Sequence, residues 1–162
     1  MNIFYLSPSP SEAALFHCDK HVVKMIVETC QILCTVHHRW DSHETWMYKP
    51  THQKHPSTLW AGDNPAHYIW LHKLGLELCA EYTRRYNKQH ACYSLLEKLS
   101  MVPTDLLTTI EADWTDPPQC MPDECKSSFA VDGYRTYYRH KKSMISMKWY
   151  KTDNEPSFMR YA

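Results

Sequence analysis

The chain has 162 residues, with 18 Lys and Arg against 18 Asp and Glu, 11 histidines, 11 tyrosines, 6 tryptophans and only 3 glycines. A net charge of zero excludes a protein held on nucleic acid or membrane by its overall field, and no apolar run approaches the roughly 20 residues that span a bilayer. The length suits one domain, 1–162, with a core of its own, and few glycines with helical periodicity point to an all-α fold, a compact single-domain helical bundle.

Met1 to Leu6 is short, apolar and extended, and it lacks the basic segment of a signal peptide. Ser9-Pro10-Ser11-Glu12 then reads as a helix start: serine at the cap, proline at the first helical position, glutamate three residues on. Neither proline nor glycine interrupts before His38, so the pattern predicts one continuous helix over 9–38. Leu15, Cys18, Val22, Met25, Thr29, Ile32 and Val36 form an apolar stripe, with Val23, Val27, Cys30 and Cys34 beside it. His17, His21, Lys24 and Glu28, at offsets 0, 4, 7 and 11, line up as a narrow titratable seam. A solvated face or a Lys24–Glu28 ion pair would explain part of it. Two histidines, a lysine and a glutamate in register on a largely apolar helix favour a functional cleft.

Residues 39–58 form a polar connection containing Tyr48-Lys49-Pro50-Thr51-His52-Gln53-Lys54-His55-Pro56, a cationic loop of the kind that carries function. Asp63-Asn64-Pro65 starts a second long helix that runs to about Tyr86. Shorter helices follow over 91–99 and from Val102-Pro103-Thr104-Asp105. A proline-rich loop spans Thr115 to Lys126, and a final helix covers 128–144. From Gly133 to Lys151 there are six Lys or Arg and no acidic residue. Tyr134, Tyr137, Tyr138, Trp149 and Tyr150 are interleaved with them, a mixture suited to phosphates and stacked bases. Seven scattered cysteines, an odd number, read as reduced thiols in a cytoplasm-like compartment.

Three chemistries fit these residues. His17 and His21, one turn apart, can chelate a metal with third and fourth ligands from His52, His55, Cys120 or Cys125. The absence of a following glutamate and of any Cys-x-x-Cys pair weighs against this, so the expectation is no metal and no cofactor. The second is chemistry on a nucleic-acid base, with Glu28 beside developing charge and Lys24, His21 or His17 for covalent or proton work. A target base in a duplex is first flipped out. The third, an interaction protein without chemistry, leaves the histidine seam unexplained.

Four features resemble the pyrimidine-dimer DNA glycosylase family, the endonuclease V type of bacteriophages and their bacterial relatives. They are the apolar Met1–Leu6 leading into a long helix, Tyr48-Lys49 through His55-Pro56, Ala80-Glu81 through Arg85-Tyr86-Asn87, and Trp149-Tyr150-Lys151 with Tyr161-Ala162 at the end. His17-Cys18-Asp19-Lys20-His21-Val22-Val23-Lys24-Met25 is similar to a segment of small tailed-phage proteins, which suggests a divergent phage branch. The resemblance implies an all-α monomer in the cytoplasm (the host's, for a phage protein), acting on double-stranded DNA and not on membranes. It implies removal of a damaged or modified pyrimidine by attack of the N-terminal α-amine on C1′ of the sugar. The resulting imine can undergo strand-cleaving β-elimination (AP-lyase activity), assisted by a glutamate on the first long helix.

Carried over, Glu28 is the carboxylate and the Met1 amine or Lys24 the nucleophile, with His17 and His21 transferring protons or positioning phosphate. Lys20, Lys49, His52, His55, Arg135, Arg139, Trp149, Tyr150 and Lys151 would lie on DNA. The alternatives are a transferase modifying DNA pyrimidines and a histidine-metal protein.

Overall fold

Ser9 and Asn64 set where the two main helical segments begin, each from an extended backbone with proline one residue on. The computed structural model describes residues 1–109, 113–153 and 155–160. Ser9 Oγ accepts from the Glu12 N–H, and Asn64 Oδ1 accepts from the Ala66 N–H at 2.7 Å. The described residues are all-α, with no strand. The helices are α1 (Pro10–Phe16), α2 (Asp19–Arg39), α3 (Pro56–Ala61), α4 (Pro65–Tyr86), α5 (Tyr93–Lys98), α6 (Thr104–Leu107) and α7 (Ala130–Met144). Short 3₁₀ turns occupy Asp123–Cys125 and Ser157–Met159. Tyr161-Ala162, the last part of the family resemblance, lies outside the described residues.

The expected continuous helix over 9–38 is two helices. His17 and Cys18 are extended, with ψ of 135° and 161°. What holds the break comes from far along the chain. The buried Arg85 guanidinium donates to the Leu15 and His17 carbonyls at 3.1 and 2.7 Å, taking acceptors that the last turn of α1 would otherwise leave unpaired. The Tyr138 hydroxyl accepts from the Cys18 N–H at 2.8 Å. The connection over 39–58 also differs from expectation, because Pro56 starts α3, with the His55 ring as its cap through Nδ1 and the Ser57 N–H.

Helix α2 packs on α4 and α3, α1 on α4, and α7 on both 3₁₀ turns. The core face of α2 buries Val22, Met25, Ile26, Cys30, Ile32, Leu33 and Val36, whereas Val23 is exposed, so the second stripe is only partly covered. Gly75 marks the closest approach in this core. A Cβ there would stand 2.9 Å from Leu96 and 3.0 Å from Thr29. Nothing larger than hydrogen fits without moving them. Gly133 plays the same part under the proline-rich loop, where a Cβ would fall 2.0 Å from Gln119 Oε1. That amide grips Ser127 at both its N–H and carbonyl, at 3.0 and 2.6 Å, and so ties the two sides of the proline-rich loop together. All seven cysteines are free thiols, six of them buried. No described helix is long and apolar enough to cross a membrane.

Candidate active site

The N-terminal strap runs through the interior, and Asn2 anchors it. The Asn2 side chain donates to the Cys120 carbonyl at 2.9 Å, and its Oδ1 accepts from the Tyr134 hydroxyl at 3.0 Å and the Ile3 N–H at 2.8 Å. Its backbone N–H donates to Glu28 Oε2 at 2.9 Å. Glu28 is a mid-helix residue of α2 whose side chain is only 12% exposed, and its other oxygen meets Lys24 Nζ at 3.3 Å. One half-buried carboxylate thus holds both the start of the chain and a lysine.

Around this pair is a cleft of about 170 Å³ lined by Met1, Phe4, His21, Lys24, Glu28, Cys120, Tyr137 and Lys141, among others. That is space for roughly five or six waters, the size of one small ring. A larger groove of about 520 Å³ lies at the C-terminal tail, and it contains none of the seam residues. The smaller cleft joins amines, a carboxylate and an imidazole, groups that can supply a nucleophile and move protons.

Three members of the predicted seam, His21, Lys24 and Glu28, line the cleft together. His17 stands behind them, fully buried, with Nδ1 2.6 Å from the Ala13 carbonyl and Nε2 without a partner. The break at Cys18 places the two histidines on either side of a helix junction, so they do not form the one-turn chelate. No group of three or more His, Cys, Asp or Glu among the described residues is arranged to hold a metal.

His21 is stacked on Phe4 at 4.6 Å and its Nδ1 meets the Tyr138 hydroxyl at 2.9 Å. Phe4 itself has a φ of 54°, a left-handed backbone that costs a bulky residue energy and persists only where its surroundings enforce it. Burial, then the charges of His17, Lys141, Lys24 and Lys20, pushes the His21 pKa down to about 3. Burial opposed by the Ala13 hydrogen bond takes His17 down to about 4.

Both imidazoles are therefore neutral at pH 7, and the consequence for stability has a definite sign. Between about pH 6.5 and 4 the unfolded chain takes up protons that the folded protein refuses. Stability is complete above pH 6.5 and falls toward pH 4, on the order of a few kcal/mol for the two rings together. Denaturant unfolding at pH 7 and 4.5 should show this loss, and replacing both histidines by glutamine should reduce it. Equal pH dependence in the parent and the variant would contradict the assignment.

His55, at the cap of α3, lies near enough to the N-terminal amine and Glu28 to feel both charges. Its pKa is lowered first by burial and then by the N-terminal amine and His52, with Glu28 opposing. Lys20, Lys49, His52, Tyr150 and Lys151 are exposed, Tyr150 at 81%. Arg135, Arg139 and Trp149 are engaged within the protein. Arg135 Nε donates to the Leu6 carbonyl at 3.0 Å and its guanidinium covers Phe158, while Arg139 reaches the Phe158 carbonyl at 3.3 Å. Trp149 is buried, with its indole N–H on the Phe16 carbonyl at 3.1 Å.

Sequence reasoning missed Phe4, Cys120, Tyr137 and Lys141 as cleft residues. The only signal for the last two was their place in the basic, aromatic stretch. A model of the family described as pyrimidine dimer DNA glycosylase matches residues 1–94, a span that includes Glu28, His55 and all of α4. No curated protein and no solved structure matches the chain.

Proposed function

Because the chain belongs to the pyrimidine dimer DNA glycosylase family, we propose that the Glu28 cleft removes a damaged or modified pyrimidine from duplex DNA through an amine–imine mechanism. The observation that carries this reading is the contact between Glu28 Oε2 and the N-terminal strap at Asn2, with Lys24 on the other oxygen. A neutral amine attacks C1′, the C1′–N bond to the base breaks, and the base leaves with the bonding electrons and takes up a proton. Glu28 stabilises the cationic sugar and accepts the proton released by the attacking nitrogen. Opening of the sugar gives an imine, from which loss of a C2′ proton expels the 3′ phosphate.

The nucleophile is the N-terminal amine of Met1. Lys24 is 69% exposed and serves to hold Glu28, because a nucleophilic amine gains from a desolvated site. Glu28 holds the Asn2 backbone N–H, one residue along the chain from the Met1 amine. Neutral His21 serves in proton transfer, and His17 packs edge-on against the Phe4 ring on which His21 stacks. Lys20, Lys49, His52, His55, Tyr150 and Lys151 form the DNA face. Arg135, Arg139 and Trp149 brace that face from inside.

Borohydride trapping tests this reading. Protein is incubated with abasic, ultraviolet-irradiated and undamaged duplexes, reduced, and the adduct peptide is sequenced by mass spectrometry. The expected result is an adduct on damaged and abasic DNA at the N-terminal residue, retained in Lys24→Met. An adduct on Lys24 would reassign the nucleophile. No adduct on any substrate with folded protein would overturn the imine mechanism and favour a transferase acting on pyrimidines in the same cleft.

A further inference from the structure

We propose that Lys141, poised over Phe4 and Tyr137, is an anion subsite for a DNA phosphodiester next to the sugar held at Glu28. The inference rests on the reading of that cleft as a DNA site. Lys141 belongs to α7, beyond the 94 residues that match the family, yet it lines the same cleft as Met1 and Glu28. Its ammonium lies 5.0 Å from the Tyr137 ring centre and 5.8 Å from that of Phe4. These two rings are nearly parallel, 22° apart with centroids at 6.1 Å.

Two of the lysines nearest Lys141 in the cleft and along α7 already have anionic partners. Lys24 pairs with Glu28, and Lys142 with Glu155 at 2.7 Å. Among the described residues no carboxylate lies within ion-pair distance of Lys141. The rings hold its position without neutralising it, and a cation–π contact at a partly exposed site is weak enough to yield to a phosphate. Lys141 lines the cleft beside His21, and its charge is among those that lower the His21 pKa. Phe4 is nearly fully buried and Tyr137 only partly, so Tyr137 is the ring that offers a face to a neighbouring base.

The test uses a duplex carrying a tetrahydrofuran abasic analogue, which binds as an abasic site but cannot form an imine. Its dissociation constant is measured by fluorescence anisotropy over a range of salt, with inorganic phosphate and free nucleotide as competitors. Lys141→Gln is expected to weaken binding several-fold and to reduce the slope of log Kd against log salt by about one. Lys141→Arg should retain most of both, and Lys142→Gln should change neither. Inorganic phosphate alone displacing the duplex at low concentration would identify a general phosphate site, overturning the assignment to DNA. An unchanged slope in Lys141→Gln, or an equal loss in Lys142→Gln, would also overturn it. Because no imine is involved, a failed trapping experiment with an intact Lys141 effect would sink the imine mechanism alone.

Discussion

Glu28→Gln is expected to lower the rate of imine trapping on abasic duplex by about 10²–10³-fold, the scale for losing one positioned group that stabilises charge in a transition state. The amide keeps an oxygen for the Asn2 N–H, now 2.9 Å from Oε2, so the strap stays in place. Under the proposed mechanism it loses the negative charge that would stabilise the sugar cation and the basic site that would take the amine proton. Stability should change little, since the Lys24 partner is an exposed ammonium, and such pairs contribute about 0–1 kcal/mol. The measurement is single-turnover trapping at saturating DNA, with unfolding of the variant followed in parallel. A rate within a factor of three of the parent, in a folded variant, would mean that attack proceeds without the carboxylate.

Arg85→Met is expected to destabilise the fold by about 3–5 kcal/mol, the cost of stranding a buried charge. The Arg85 side chain has no exposure and donates to Glu81 Oε1 at 3.0 Å, to Asp19 Oδ1 at 3.2 Å, and to the Leu15 and His17 carbonyls. Glu81 is 2% exposed. Its second oxygen meets Arg84, an exposed side chain, so loss of Arg85 leaves the buried carboxylate poorly compensated. The two carbonyls at the end of α1 lose their donors at the same time. Denaturant unfolding measures the loss, and hydrogen exchange should show α1 opening before α4. The double variant Arg85→Met, Glu81→Leu should recover part of the stability, because it removes the stranded charge. A loss below 1 kcal/mol for Arg85→Met would show that water replaces the guanidinium.

This second effect gives a physical meaning to one of the short motifs in the family resemblance. Glu81 through Tyr86 is where α4 reaches across to clamp the junction between α1 and α2. Arg85 binds that junction, and the Tyr86 hydroxyl donates to the Asp19 carbonyl at 3.2 Å. With the junction clamped, α2 starts at Asp19, which sets the rotation of the turn carrying His21, Lys24 and Glu28. The clamp lies outside the cleft and acts on it through the helix that supplies its carboxylate.

Much of the architecture was determined by the sequence itself, because its causes are local. Ser9-Pro10 and Asn64-Pro65 start helices through neighbouring N–H groups, and Asn87 ends α4 in the left-handed conformation, with a φ of 53°, which asparagine tolerates. The spacing of His21, Lys24 and Glu28 places them on one face of any helix that contains them. The tertiary structure alone decided the rest. The break at His17–Cys18 depends on Arg85 and Tyr138, whose distance along the chain hides them from any helical period. The same separation concealed Lys141, Tyr137 and Cys120, which meet the N-terminus only after α7 and the proline-rich loop fold over it. Composition marked 133–151 as basic and aromatic. Which of those groups turn outward depended on the carbonyls left open by neighbouring segments, since a buried carbonyl without a donor is costly. Arg135, Arg139 and Trp149 supply such donors, while Lys141, Tyr150 and Lys151 remain available to a partner.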